Sequence, residues 1–191
     1  MSKRILVTVP NLHWIHASVA AVLLKLSQDA RYALSIQLPS ALPYENNLHA
    51  IVQTFLAGAW DYWLSIDADN PPLCNPLDLI ARDLDVVGCP TPVWHYEGQP
   101  RERPLYWNAY RYDDTVAAYR EWQPREGLQQ VDAIGTGCFL VARRVVMHPD
   151  MQRGCFTRQL DEAGRVRLGA DLAFCQRVKA AGFSLWCHFD Y

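Results

Sequence analysis

The sequence has no long apolar segment and little net charge. No apolar stretch approaches the ~18–20 residues of a membrane-spanning helix. Pro10 interrupts the short apolar run behind Lys3 and Arg4, which is not the pattern of a signal peptide. We therefore expect a cytoplasmic protein without a membrane partner. The formal net charge of −2 provides no overall attraction to nucleic acid or to anionic membranes.

The cysteines show no paired spacing. There is no C-x-x-C motif, so the sequence offers neither a zinc site nor a disulfide framework. Several cysteines lie inside apolar runs, which is typical of buried free thiols in a reducing compartment. The six positions are Cys74, Cys89, Cys138, Cys155, Cys175 and Cys187.

Glycine-rich phosphate motifs are also missing. Gly135-Thr136-Gly137 has neither the third glycine nor the following helix of a dinucleotide fingerprint, and no G-x-x-x-x-G-K-[ST] loop is present. Two glycines around a threonine before an apolar strand leave two interpretations open. They form a simple bulge, or they allow a ligand to approach the backbone closely.

The 191 residues fit one domain, half apolar and one-fifth charged, as in a globular protein. Strand-like and helix-like segments alternate along the first 88 residues, which predicts an α/β fold with a mostly parallel central sheet between helices. Predicted strands cover 4–9, 32–38, 62–66 and 85–88, and predicted helices cover 15–26, 46–56 and 76–82.

Residues 89–130 lose this pattern and are rich in proline and aromatic residues, including Trp107. So long an irregular stretch in one domain indicates a functional insert or a small extra β region. After it, strands are predicted at 131–134, 138–142 and 183–187, with a helix over 170–181 and a hairpin tip at 161–164.

Two carboxylates follow the third predicted strand. Asp67 and Asp69 are separated by one residue, and Pro71 and Pro72 end regular structure behind them. Residues i and i+2 of an extended chain point to the same side, so both side chains can meet where ligands bind in open α/β sheets. Their repulsion favours a divalent cation that also contacts phosphate. An ordinary turn is the alternative interpretation.

Two further residues are candidates on local grounds. Asp171 stands at the start of a predicted helix, where it either caps free N–H groups or acts as a general base. His188 lies on the last predicted strand and could reach a metal ion, although a lone histidine is more often not a ligand.

The order of these motifs resembles that of nucleotide-sugar glycosyltransferases of the GT-A fold, close to the family 2-like enzymes. The likeness spans nearly the whole chain. It runs from Thr8-Val9-Pro10 through Glu45-Asn46-Asn47 and Asp67-Ala68-Asp69 to the Gly135-Thr136-Gly137 strand and Gly169-Ala170-Asp171-Leu172.

The resemblance implies a single Rossmann-like GT-A domain. Residues 1–88 would form the nucleotide-binding half, 89–130 the insert, and 131–191 the acceptor and catalytic half. The expected activity is transfer of a sugar from a nucleoside-diphosphate sugar, of the UDP type, to an acceptor hydroxyl.

The resemblance also assigns roles to individual residues. Thr8, Pro10, Asn47 and Asp67 would contact the nucleoside, and Asp69 would bind Mn²⁺ or Mg²⁺ on the diphosphate. The sugar and acceptor pocket would comprise Gly135, Thr136, Gly137 and Trp107; Asp171 would be the base, and His188 would serve as a further metal ligand.

Alternatives remain open at this stage. Ala170 replaces a glutamate that is common in the family, which suggests a nucleotide-sugar-binding module with impaired catalysis. A D-x-D phosphohydrolase is a second alternative, although Pro71 and Pro72 do not fit its motif. The acceptor is a saccharide, a protein or a modified nucleic acid. A net charge of +4 over 143–179 suits an anionic ligand or a solvated helix face equally.

Overall fold

A seven-stranded sheet with helices on both faces organises the protein. The computed structural model describes residues 2–94, 105–122 and 126–191. The strands are β1 Arg4–Thr8, β2 Ala33–Gln37, β3 Tyr62–Ile66, β4 Val86–Gly88, β5 Pro92–Trp94, β6 Leu105–Trp107, β7 Ala109–Asp113, β8 Ala118–Glu121, β9 Leu128–Val131, β10 Ala133–Ile134, β11 Cys138–Ala142, β12 Gln159–Leu160, β13 Val166–Leu168 and β14 Leu185–His188. The helices are α1 Ala17–Ser27, α2 Tyr44–Ala57, α3 Arg143–Val146 and α4 Ala170–Ala180, with 3-10 turns at Pro76–Arg82 and Pro149–Met151.

The main sheet is mixed. Its strand order is β2-β1-β3-β11-β4-β14-β9. Within the described residues, β11 and β9 run antiparallel to their neighbours and the other five strands share one direction. The predicted α/β class with flanking helices is confirmed, whereas the sheet is less parallel than predicted, because β11 lies between β3 and β4 in the opposite direction.

Alternate residues of the central strands build two separate cores, as strand geometry requires. On one face, Trp63 and Phe139 pack with their ring centroids 5.1 Å apart, beneath α2 and α4. On the other face, Leu64 and Leu140 pack against α1 and the turn at Pro76–Arg82. Because both faces are covered, the strands read as continuous apolar runs in the sequence.

Helix α2 shows why the local prediction held. Leu48, Ile51, Val52 and Phe55 are all buried at helical spacing. The helix ends at Gly58, whose N–H bonds the carbonyl of Phe55. It begins earlier than predicted, at Tyr44 behind Pro43, and this extra turn carries Tyr44 to the end of β3.

The insert forms small sheets rather than irregular chain. Strand β5 pairs with β6, and β7 pairs with β8 and β10. Strand β9 joins the edge of the main sheet, so the predicted strand at 131–134 is in fact two short strands that separate at Asp132. Positions 95–104 and 123–125 of the insert lie outside the described residues.

No helix in the described part of the chain is long and apolar enough to cross a membrane.

Candidate functional site

The two carboxylates of the D-x-D segment lie at the carboxyl end of β3. The N–H of Asp67 bonds the carbonyl of Gly137 at 2.7 Å, and the carbonyl of Ala68 accepts the N–H of His16 at 2.7 Å. These two bonds hold the segment between β11 and the start of α1. Asp67 is partly buried, whereas Asp69 is exposed.

Asp67 and Asp69 both line a cleft of about 310 Å³, which we call the first cleft. Its other wall is the loop after β1, and Tyr44 and Thr136 complete it. The residues that line it are Pro10, Asn11, Leu12, Trp14, Tyr44, Asp67, Ala68, Asp69 and Thr136. The cleft therefore lies at the edge of the sheet where ligands bind in open α/β folds.

Tyr44 is a site residue that the sequence did not reveal. Its hydroxyl donates to Oδ1 of Asp67 across 3.3 Å, and Thr136 lines the cleft beside it. Burial and the nearby charge of Asp67 raise the pKa of Tyr44, so it remains a neutral donor. The only sequence signal was an aromatic residue directly before Glu45-Asn46-Asn47, at the start of a helix.

The site gathers negative charge. Burial, together with the carboxylates of Asp69 and Asp171, raises the pKa of Asp67 to about 6, against the hydrogen bonds from Tyr44 and Asn70. Like charges in a partly buried position disfavour ionisation unless a cation compensates them.

Asp171 lies in the first turn of α4. Its Oδ1 accepts the N–H of Leu172 at 2.8 Å, so it satisfies one free donor of the helix. Burial nevertheless raises the pKa of Asp171, because desolvation outweighs that hydrogen bond. Its charge helps to raise the pKa of Asp67, Tyr44 and Tyr110, although Asp171 itself does not line the first cleft.

The glycines around Thr136 are required by neighbouring side chains. A Cβ on Gly135 would lie 1.9 Å from Nδ2 of Asn108, and one on Gly137 would lie 2.2 Å from Oγ1 of Thr91. The atoms that come close to these two glycines therefore belong to residues next to β5 and β6. Thr136 alone of the three lines the first cleft.

The structure does not bring Thr8 and Asn47 to the cleft wall. Thr8 is fully buried, and its Oγ1 accepts the indole N–H of Trp63 at 2.8 Å. Asn47 is 1% exposed and donates to the carbonyl of Pro39 at 3.0 Å. Pro10 does line the cleft.

His188 and Trp107 also lie away from the first cleft. His188 is 7% exposed, and its ring packs against Tyr191 with centroids 4.6 Å apart. Burial lowers the pKa of His188 and keeps it neutral. Trp107 lines a different cavity, beside residues 189–191.

The carboxylates of Asp67 and Asp69 suit a cation that takes most of its ligands from phosphate and water. Among the described residues, no group of three or more His, Cys, Asp or Glu side chains is placed to hold a metal ion. Mg²⁺ commonly takes only one or two carboxylates and completes its shell with phosphate oxygens and water. Asp67 and Asp69 fit this mode of binding, and His188 belongs to no such group within the described chain.

Comparison with known proteins shows the fold. No family model matches the chain, and no curated protein sequence matches it. The crystal structure of A197 from STIV is similar over 97% of this chain and 82% of that chain, with a TM-score of 0.62 and 13% identity. The likeness thus concerns the arrangement of strands and helices.

Proposed function

We propose that this protein is a metal-dependent glycosyltransferase that moves a sugar from a nucleoside-diphosphate sugar, of the UDP type, to an acceptor hydroxyl. The observation that carries the proposal is a pair of carboxylates in one cleft at the carboxyl end of β3, with a third acidic residue whose charge acts on one of them. Asp67 and Asp69 line the first cleft, and the charge of Asp171 acts on Asp67.

The donor would occupy the first cleft. Pro10 and the side chains of the loop that follows it would face the nucleoside. Asp69 and Asp67 would hold Mn²⁺ or Mg²⁺. The cation supplies positive charge to the departing nucleoside diphosphate. Tyr44 keeps Asp67 in place through its hydrogen bond and so orients the donor set.

The acceptor would be activated by Asp171. A general base works best when its pKa lies near the operating pH, and burial moves the pKa of Asp171 upwards in that direction. The carboxylate would take the proton of the acceptor hydroxyl, whose oxygen then bonds to the anomeric carbon as the bond to the diphosphate breaks. The sugar thereby passes to the acceptor, and the proton remains on Asp171.

A nucleotide-sugar-binding module without transfer activity is the second candidate. The observation that favours it is the bond from Leu172 N–H to Asp171 Oδ1, which is a structural use of that carboxylate. Ala170, beside it, supplies no second carboxylate.

Thermal unfolding with UDP-, GDP- and dTDP-sugars, each with and without Mn²⁺, tests both candidates. A donor at about 100 times its Kd should stabilise the fold by about 2.7 kcal/mol. The Asp69→Ala variant should lose the metal-dependent part of this shift, whereas Asp150→Ala, an exposed site elsewhere, should keep it.

Release of nucleoside diphosphate, measured in the same samples, separates the two candidates. Slow metal-dependent release supports the transferase. A metal-dependent shift without release, even with acceptors present, supports the binding module. Absence of a shift with every donor would refute both.

A further inference from the structure

A second cavity begins one residue beyond the D-x-D segment. Its volume is about 310 Å³, at the small end of ligand pockets, and none of the described residues lines both this cavity and the first cleft. The residues that line this second cavity are Asn70–Leu73, Cys89–Pro92, Trp107, Cys138 and Phe189–Tyr191. The proposed reaction leaves this cavity without a role.

Much of the wall is rigid and apolar. Four prolines line it, namely Pro71, Pro72, Pro90 and Pro92. A proline has a fixed φ and no backbone N–H, so these positions offer apolar rings and no main-chain donor to a ligand. Their rigidity also means that binding loses little backbone entropy.

Aromatic rings and thiols supply most of the remaining surface. Trp107 contributes an indole that is 38% exposed, and Phe189 and Tyr191 stand on another wall. Cys89, directly after β4, and Cys138, at the start of β11, are both buried. They are neighbours, since the N–H of Cys89 bonds the carbonyl of Cys138. Buried thiols behave as small apolar groups.

Three of the polar groups around the second cavity already have partners in the described structure. Nδ2 of Asn70 donates to Oδ1 of Asp69 at 3.1 Å, and Oδ1 of Asp190 accepts the N–H of Gly127 at 3.0 Å. The N–H of Thr91 donates to Oδ1 of Asn108 at 3.0 Å. A sugar ring that entered the cavity would lose the hydrogen bonds that its hydroxyls make with water and would gain few in return. A planar apolar ring makes no such hydrogen bonds with water and therefore has none to lose.

We infer that the second cavity binds a small planar apolar group of the size of a substituted phenyl ring, stacked on Trp107. Its role rests on the proposed function: the ring is the aglycone of the acceptor molecule. That acceptor molecule also carries the hydroxyl that receives the sugar. Asn70 lines the second cavity and bonds Asp69, so it joins this site to the donor side.

Two glycosides that differ only in the aglycone test the inference. Binding of phenyl β-glucoside and methyl β-glucoside is measured by titration calorimetry, with neither donor nor metal present. We expect the phenyl compound to bind at least about tenfold more tightly, because burial of an aromatic ring is worth that much.

The matched variants are Trp107→Ala and Trp122→Ala. The two indoles are almost equally exposed, at 38% and 37%, but Trp122 lies outside the second cavity. Trp107→Ala should weaken phenyl glucoside binding at least about fivefold, and Trp122→Ala should change it less than about twofold. Leu73→Asp, at a 90% exposed position of the wall, should also weaken it without affecting folding.

Equal affinity for the two glycosides would overturn the inference. It would also be overturned if the two tryptophan variants bound phenyl glucoside with the same affinity and the Leu73→Asp variant bound it as tightly as the unmodified protein. Because no donor is present, this result is independent of the proposed transferase. Phenyl binding without any response to nucleotide sugars would leave the second cavity as a site and remove its role in glycosyl transfer.

Discussion

The phenol of Tyr44 donates a hydrogen bond to Oδ1 of Asp67 across 3.3 Å, and this bond joins the first turn of α2 to the end of β3. It opposes protonation of Asp67, but burial and the neighbouring carboxylates still raise the pKa of that residue to about 6. The balance between this hydrogen bond and the local negative charge sets how the candidate site responds to pH and to cations.

Removal of the Tyr44 hydroxyl should raise the pKa of Asp67 further. A hydrogen bond to an ionised group is worth about 1.5–3 kcal/mol, and part of it is regained from water. In Tyr44→Phe we therefore expect Mn²⁺ affinity at pH 6.5 to fall roughly threefold to tenfold, with a smaller loss at pH 8. Carboxyl NMR titration of Asp67 measures the pKa directly, and Tyr112→Phe, which lies outside the first cleft, is the control. An unchanged pKa would contradict the role given to Tyr44.

Asp67 should destabilise the metal-free protein at neutral pH. Folding raises its pKa from the ordinary 3.8 to about 6, so the folded state binds more protons than the unfolded chain between these values. Stability therefore falls as the pH rises through this window, and the full penalty is present above pH 6.

Asp67→Asn should consequently raise the free energy of unfolding by about 1–3 kcal/mol at pH 7.5 and by little at pH 4. Urea denaturation in the presence of a chelator, at both pH values, measures the difference. The exposed Asp114→Asn serves as the control. A gain of equal size at both pH values would show that the charge of Asp67 is not the cause.

Asp171→Asn should separate capping from catalysis. Asparagine can still accept the N–H of Leu172, so α4 and donor binding should be retained. Without a proton acceptor, transfer should fall about 10²-fold or more. Single-turnover release of nucleoside diphosphate in the presence of acceptor measures the step. Wild-type rates would limit Asp171 to a structural role.

Thr8 should contribute to stability and not to donor binding. Thr8→Val leaves the fully buried indole N–H of Trp63 without its acceptor, at a cost of about 1–3 kcal/mol. Thr8→Ser keeps the hydroxyl and should cost less than about 1 kcal/mol. Denaturant unfolding and donor titration are measured on both variants. Lost donor affinity with unchanged stability would instead place Thr8 against the nucleoside.

Several elements could be predicted because their signals are local. The apolar run 62–66 is strand β3, the periodic segment 170–181 is helix α4, and the carboxylates Asp67 and Asp69 do share one cleft. Each of these features depends on the spacing of residues that are close together in the chain, and this spacing can be read directly from the sequence.

Other features depend on residues that lie far apart in the chain. The direction of β11 follows from its place between β3 and β4, and the partner of Thr8 is Trp63, 55 positions away. His188 lies on a strand whose end packs against Tyr191, so a histidine that looked available for a metal is enclosed.

The sequence by itself determined the alternation of strands and helices, the buried faces and the acidic pair after β3, because backbone geometry links those patterns to spacing of two or 3.6 residues. Only the tertiary structure decided which distant groups meet: Tyr44 with Asp67, Asp171 with the same cluster, and four prolines with Trp107 around a second cavity. Such contacts arise when the sheet and helices pack, and no local spacing encodes them.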